Sequence, residues 1–225
     1  MMTRVLRLLL ALLLLPLCGA STLAVTGLLG SLESGVSWPE LSLAGGFLLW
    51  IAMYFTLPRP IRTYVLAHEL THALWGYLMG AAVHNLKVSR KGGSVLLSGS
   101  NMWVTLSPYF FPLYTVVISI VYGICSLAWD LHHLEWLWLA LVGLTWSFHL
   151  TFTVSSLLQH QTDIVEYGRV FSMTVIYLMN VLGMGAWIAL VTRARLDVYL
   201  MLLAERTVEF YGKIAQIIVS AAGGQ

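Results

Sequence analysis

The chain has 225 residues, 59% hydrophobic and 10% charged, with a mean hydropathy of +0.82 and a formal net charge of +2. No ordinary soluble domain has this composition. The 12 Lys and Arg are scattered rather than gathered into a basic stripe, which argues against a nucleic-acid partner. A membrane span takes about 20 mostly apolar residues. Six stretches qualify, roughly 5–30, 41–58, 63–83, 104–129, 135–158 and 170–192. They leave too little chain for a soluble domain. The expected fold is therefore an all-α polytopic integral membrane protein, a single domain over residues 1–225, embedded in a lipid bilayer. Nine Trp and ten Tyr suit interfacial belts, with Trp38, Trp103, Trp129, Trp136 and Trp138 near span ends.

The first span follows Arg4 and Arg7 and opens with a Leu-rich run that has the alternative reading of a signal peptide. Its apolar character continues past Ala20 to Leu29, which favours a retained helix. Leu15-Pro16-Leu17 before Cys18 is a poor lipoprotein cleavage site. Cys18 and Cys125 both fall in apolar spans and read as small buried hydrophobes rather than a disulfide. Pro58-Arg59-Pro60-Ile61-Arg62 is a tight connection that stops the second helix and starts the third.

The third stretch carries His68-Glu69-Leu70-Thr71-His72. Histidines four apart share one helix face, so both imidazoles reach one metal ion, and the intervening glutamate is placed to hold a water and take its proton. An ionisable cluster in an apolar run is costly and reads as functional. The competing readings are a chance pattern with solvated histidines and a structural metal site, and the glutamate, not needed as a ligand, argues against the second. His68 sits about two turns into this helix, nearer one membrane face than the middle.

Residues 85–99 change character. Asn85 to Arg90 alternates, Lys91-Gly92-Gly93 reads as a turn, and Ser94 to Ser98 follows as a second short strand. A small β-hairpin directly after the metal helix is expected, against the alternative of a plain polar loop. In the fourth stretch Ser107 is placed to cap and Pro108 to begin a helix, and Pro112 removes a backbone hydrogen bond and loosens the first turn. The fifth stretch holds His149. From Asp197 to Ala222 the pattern is an amphipathic helix (195–222) lying on the membrane, with Glu205, Glu209 and Lys213 on one side.

With the N-terminus in the cytoplasm, Arg4, Arg7, Arg59, Arg62, Arg193, Arg195, Arg206 and Lys213 fall inside, and Lys87, Arg90, Lys91 and Arg169 outside. This excess, with Glu33 and Glu40 in the first loop, favours that orientation.

A catalytic zinc takes three protein ligands plus water. By chemistry the third is open among Asp163, Glu166, His149, Asp130 and the His132-His133 pair. Positions 149 and 163 would lie about 21 Å apart on one helix, so both reach one metal only if the chain unwinds after Leu158. His84, His132 and His133 read as interfacial residues.

The motif in an apolar helix, the hairpin-like segment, the proline-bearing helix and the late aspartate together resemble the site-2-type intramembrane zinc metalloproteases, in their small prokaryotic form. The resemblance covers roughly residues 60–170, strongest at Ala67 to Ala73 and next at Leu106 to Thr115. In that family the third ligand is an aspartate after an asparagine-leucine-leucine-proline run. Here Leu157-Leu158 and Asp163 match, whereas the asparagine, the proline and a following glycine are absent. The resemblance implies zinc on His68, His72 and Asp163, with Glu69 as the general base. It also implies a hydrolase cutting membrane protein or peptide substrates in a prokaryotic inner membrane. Two alternatives accompany this reading: a membrane metal transporter or scaffold without proteolysis, and a zinc protease with Glu166 as third ligand.

Overall fold

A computed structural model of the chain describes residues 3–31, 38–90, 92–192 and 194–223. Glu33, Lys91 and Arg193, used above for sidedness and the hairpin turn, lie outside the described residues. The elements in order are α1 (Arg4–Gly30), α2 (Trp38–Thr56), α3 (Ile61–Leu78), β1 (Val83–Ser89) and β2 (Gly92–Leu97), followed by α4 (Met102–Leu106) and α5 (Leu113–Ser126). After these come α6 (Glu135–Leu157), α7 (Thr162–Tyr167), α8 (Arg169–Val191) and α9 (Leu196–Gly223). Single 3₁₀ turns lie at Ser107–Tyr109 and His132–Leu134.

Six crossings are not supported. Among the described residues three segments are long and apolar enough to cross a membrane: α1, His132–Leu157 and α8. A fourth exists if Met102–Tyr109 and Leu113–Ser126, bent by 82°, make one crossing. The expected helices at 41–58 and 63–83 do form, but their composition falls short. α2 opens on Trp38-Pro39-Glu40, and α3 carries Arg62, Thr63, His68, Glu69, Thr71 and His72. The alternation of Lys and Arg across six crossings is accordingly not supported either.

The chain forms two compact units, Val36–Asp163 and Met1–Gly35 with Ile164–Gln225. In the first, α2 and α6 approach closely because glycines face backbone. A Cβ at Gly46 would collide with the Ala140 carbonyl, and one at Gly143 with the Leu43 carbonyl. Aromatic packing continues from there: Trp50, Phe148 and Phe152 form a buried cluster, and the Trp50 indole N–H donates to Thr151 Oγ1 at 2.8 Å. Tyr64 of α3 stacks on Phe152 with ring centroids 4.7 Å apart, which fixes the rotation of α3 against α6.

The hairpin forms, but Gly92 and Gly93, expected in the turn, pair in β2 with Ser89 and Val88. β1 and β2 pair antiparallel from Ser89↔Gly92 to Val83↔Leu97, with an irregularity between Val83 and Asn85. It lies on α3, where Gly76 faces the Leu97 side chain. Asn101, not Ser107, caps the next helix, accepting from the N–H groups of Trp103 and Val104. Ser107 Oγ instead donates back to the Val104 carbonyl at 3.0 Å. The loosening expected from Pro112 becomes a sharp corner between Pro108 and Pro112, since neither proline nitrogen carries a proton to continue a helix.

In the second unit α1 packs against α8 and α9. Thr22 and Tyr177 hydroxyls meet at 2.8 Å, and Arg7 donates to the Glu166 carbonyl at 2.7 Å while lying over the Tyr167 ring. α9 runs antiparallel along α1: Leu202 meets Gly27, Phe210 meets Gly19, and the Tyr211 hydroxyl donates to the Leu13 carbonyl at 2.6 Å. Its polar side carries Arg206, Glu209 and Lys213 in one ion-paired series. Among its apolar residues, Leu203 and Tyr211 are part-buried whereas Leu200 and Ile218 are exposed. Cys18 and Cys125 are both free thiols, Cys18 buried.

Candidate metal centre

α3 places His68 and His72 one turn apart on the face it turns toward the corner after α4. The α6 helix ends at Leu157, the chain breaks over residues 158–161, and α7 restarts at Thr162. This interruption brings Asp163, in the first turn of α7, to the histidine pair. Asp163 Oδ2 lies 3.5 Å from His68 Nε2 and 3.6 Å from His72 Nε2. One ligand atom from each of the three residues falls within 4.8 Å of the others, and among the described residues this is the group able to hold a metal ion. Two imidazole nitrogens and one carboxylate oxygen form a donor set suited to a borderline-soft divalent cation.

Each ligand is oriented by a second contact. His72 Nδ1 stands 2.8 Å from the Val104 carbonyl, which only accepts, so Nδ1 carries a proton and Nε2 is the nitrogen that faces Asp163 and the metal position. His68 Nδ1 faces the Tyr64 hydroxyl at 3.4 Å, and that hydroxyl meets Ser156 Oγ at 2.6 Å. Asp163 Oδ2 accepts from the Tyr109 hydroxyl at 3.0 Å, and the Tyr109 ring stands edge-on to His68. Burial works against a charged Asp163, but hydrogen bonds and charge from His68 and His72 outweigh it and hold its carboxyl well below the usual carboxylate range. The group is therefore anionic at neutral pH, as a metal-binding carboxylate has to be.

Glu69 is buried, 7% exposed, on the same helix and turned toward β2. A Cβ at Gly93 would stand 2.6 Å from Glu69 Cγ, so only glycine lets the strand pass this close. The hairpin thus covers the glutamate while the histidines face the corner.

The remaining sequence candidates lie elsewhere. Glu166 is exposed on α7 and is not in the metal-binding group. His149 is buried in α6 and shares a small cavity with His68, Thr71, Thr145 and Phe148, but it is not in the group either. His132 and Glu135 form an exposed pair at 3.3 Å, and Asp130 accepts from the His132 N–H at 3.1 Å. His84 is exposed on β1. Tyr109, Tyr64 and the Val104 carbonyl had no signal in the sequence, since nothing local marks a tyrosine or a carbonyl as partner to a distant ligand. No protein-family model, no curated protein and no solved structure matches this chain.

Proposed function

We propose that the protein is an intramembrane zinc metalloprotease, a hydrolase of the site-2 type, acting on membrane-embedded or membrane-proximal peptide segments. The observation that carries this reading is the meeting of His68, His72 and Asp163 at one point with Glu69 one residue along the same helix. Zinc held there would polarise the scissile carbonyl and acidify water. Glu69 takes a proton from the attacking water and returns it to the leaving amine. Asp163 supplies a fixed negative charge, and His68 and His72, oriented by Tyr64 and Val104, supply neutral nitrogens.

A helical substrate hides its amides and has to unwind before attack. The hairpin β1–β2 is suited to hold the unwound segment by strand addition, because it lies on α3 next to Glu69. Backbone pairing of this kind selects for an extended conformation more than for sequence. The three span-length helices support a bilayer setting for the whole chain.

The test is cleavage of a membrane-inserted helical substrate by the purified full-length protein. A chelator should abolish cleavage and one equivalent of zinc should restore it. Cleavage that persists through chelation would exclude the metal mechanism.

The third ligand has its own test. Asp163→Asn removes a charge from the ligand set and should weaken zinc binding by about 10-fold or more, whereas Glu166→Gln should leave it at the parent value. Competition with a zinc-binding dye measures both. Weakening by the Glu166 substitution alone would transfer the role to Glu166.

A further inference from the structure

We infer that Tyr109 is a positioning residue that restricts Asp163 to one ligating oxygen. The inference rests on the metal-site reading above. Tyr109 is fully buried at the corner between α4 and α5, at 0% exposure, and its hydroxyl donates to Asp163 Oδ2 at 3.0 Å. That same oxygen faces both histidine nitrogens, at 3.5 and 3.6 Å. The other oxygen, Oδ1, turns toward Thr162 Oγ1 at 3.5 Å. The carboxylate therefore presents one edge to the histidine pair, and the phenol is the buried group that grips that edge.

A carboxylate ligates with one oxygen or with both. A hydrolytic site has to keep a position free for water. By holding Oδ2, the Tyr109 hydroxyl resists the rotation of the carboxylate that would turn both oxygens to the metal and crowd that position. The corner made by Pro108 and Pro112 is what delivers the phenol, because a straight helix through residues 102–126 would carry Tyr109 along its own axis rather than across to α7. The aromatic ring is held separately, edge-on against His68 at 5.2 Å between centroids. Tyr109→Phe thus removes the donor and keeps the packing.

The experiment loads the full-length parent and Tyr109→Phe with cobalt and records metal stoichiometry, visible absorption and, on the membrane-inserted substrate, kcat and KM. The variant should bind about one cobalt per chain. Its absorption should weaken toward that of a five-coordinate ion. Its kcat should fall by about 10- to 100-fold with KM near the parent value, the range typical of lost outer partners of a ligand. Thr162→Val, which alters the weaker contact at Oδ1, should keep the parent spectrum.

An unchanged spectrum in Tyr109→Phe would overturn the inference, as would loss of metal in proportion to loss of activity. X-ray absorption on the parent zinc protein supplies a second reading that needs no variant: a bidentate carboxylate there also overturns it. Both spectroscopies report ligand geometry without turnover. A parent that shows the one-oxygen geometry and cleaves nothing would remove the protease reading and leave this inference standing.

Discussion

Glu69→Gln should retain zinc and fold but lose cleavage of a membrane-inserted substrate by about 10² to 10⁴, the usual contribution of a general base. The glutamine keeps the size and hydrogen-bonding capacity of the side chain in the buried space beneath Gly93, so the hairpin has no reason to move. It cannot accept the proton. His68, His72 and Asp163 are untouched, so metal stoichiometry should equal that of the parent. Side-by-side turnover and metal analysis make the measurement. Equal turnover by variant and parent would remove the hydrolytic mechanism and leave the metal transporter or scaffold alternative ahead, because binding without catalysis has no need of this group. An inactive variant that also holds an uncleaved substrate would identify that substrate.

The double substitution His68→Ala, His72→Ala should take zinc from about one per chain to none detectable. Two of the three donors disappear, and a single carboxylate does not hold zinc against water. Helix α3 should survive, because alanine is the best helix former and the stacking of Tyr64 on Phe152 is unaffected. Circular dichroism should therefore match the parent while metal analysis does not. Added zinc should raise the melting temperature of the parent, by about 2.7 kcal/mol of stability at a hundredfold excess over Kd, and leave the double variant unmoved. Full zinc occupancy in the double variant would place the metal elsewhere.

The helical elements and the motif are legible in the order of residues alone. Apolar runs of helical length marked α1, α2, α3, α6 and α8 to within about five residues, because burial in an apolar medium demands continuous hydrophobicity and helix breakers stand between the runs, whereas the fourth run merged α4 and α5 into one helix. His68 and His72 share a face through helical periodicity alone, which is a local property. The alternating residues of 85–98 likewise pointed to a hairpin, though its glycines lie in β2 rather than in the turn.

The rest depends on how distant segments meet. Which helices cross was over-read, since α2 and α3 form yet carry too many polar groups to meet the demands of a span. The resemblance already pointed to Asp163; that it, rather than Glu166 three positions on, meets the histidine pair depends on where a break of four residues after α6 aims a six-residue helix. The outer partners Val104 and Tyr109 lie 32 and 54 residues from the ligands they touch. Even Tyr64, four residues from His68, gains its role only through Ser156. Such partnerships arise from the 82° corner and from glycine-mediated contact between α2 and α6, and no local pattern records an angle between helices.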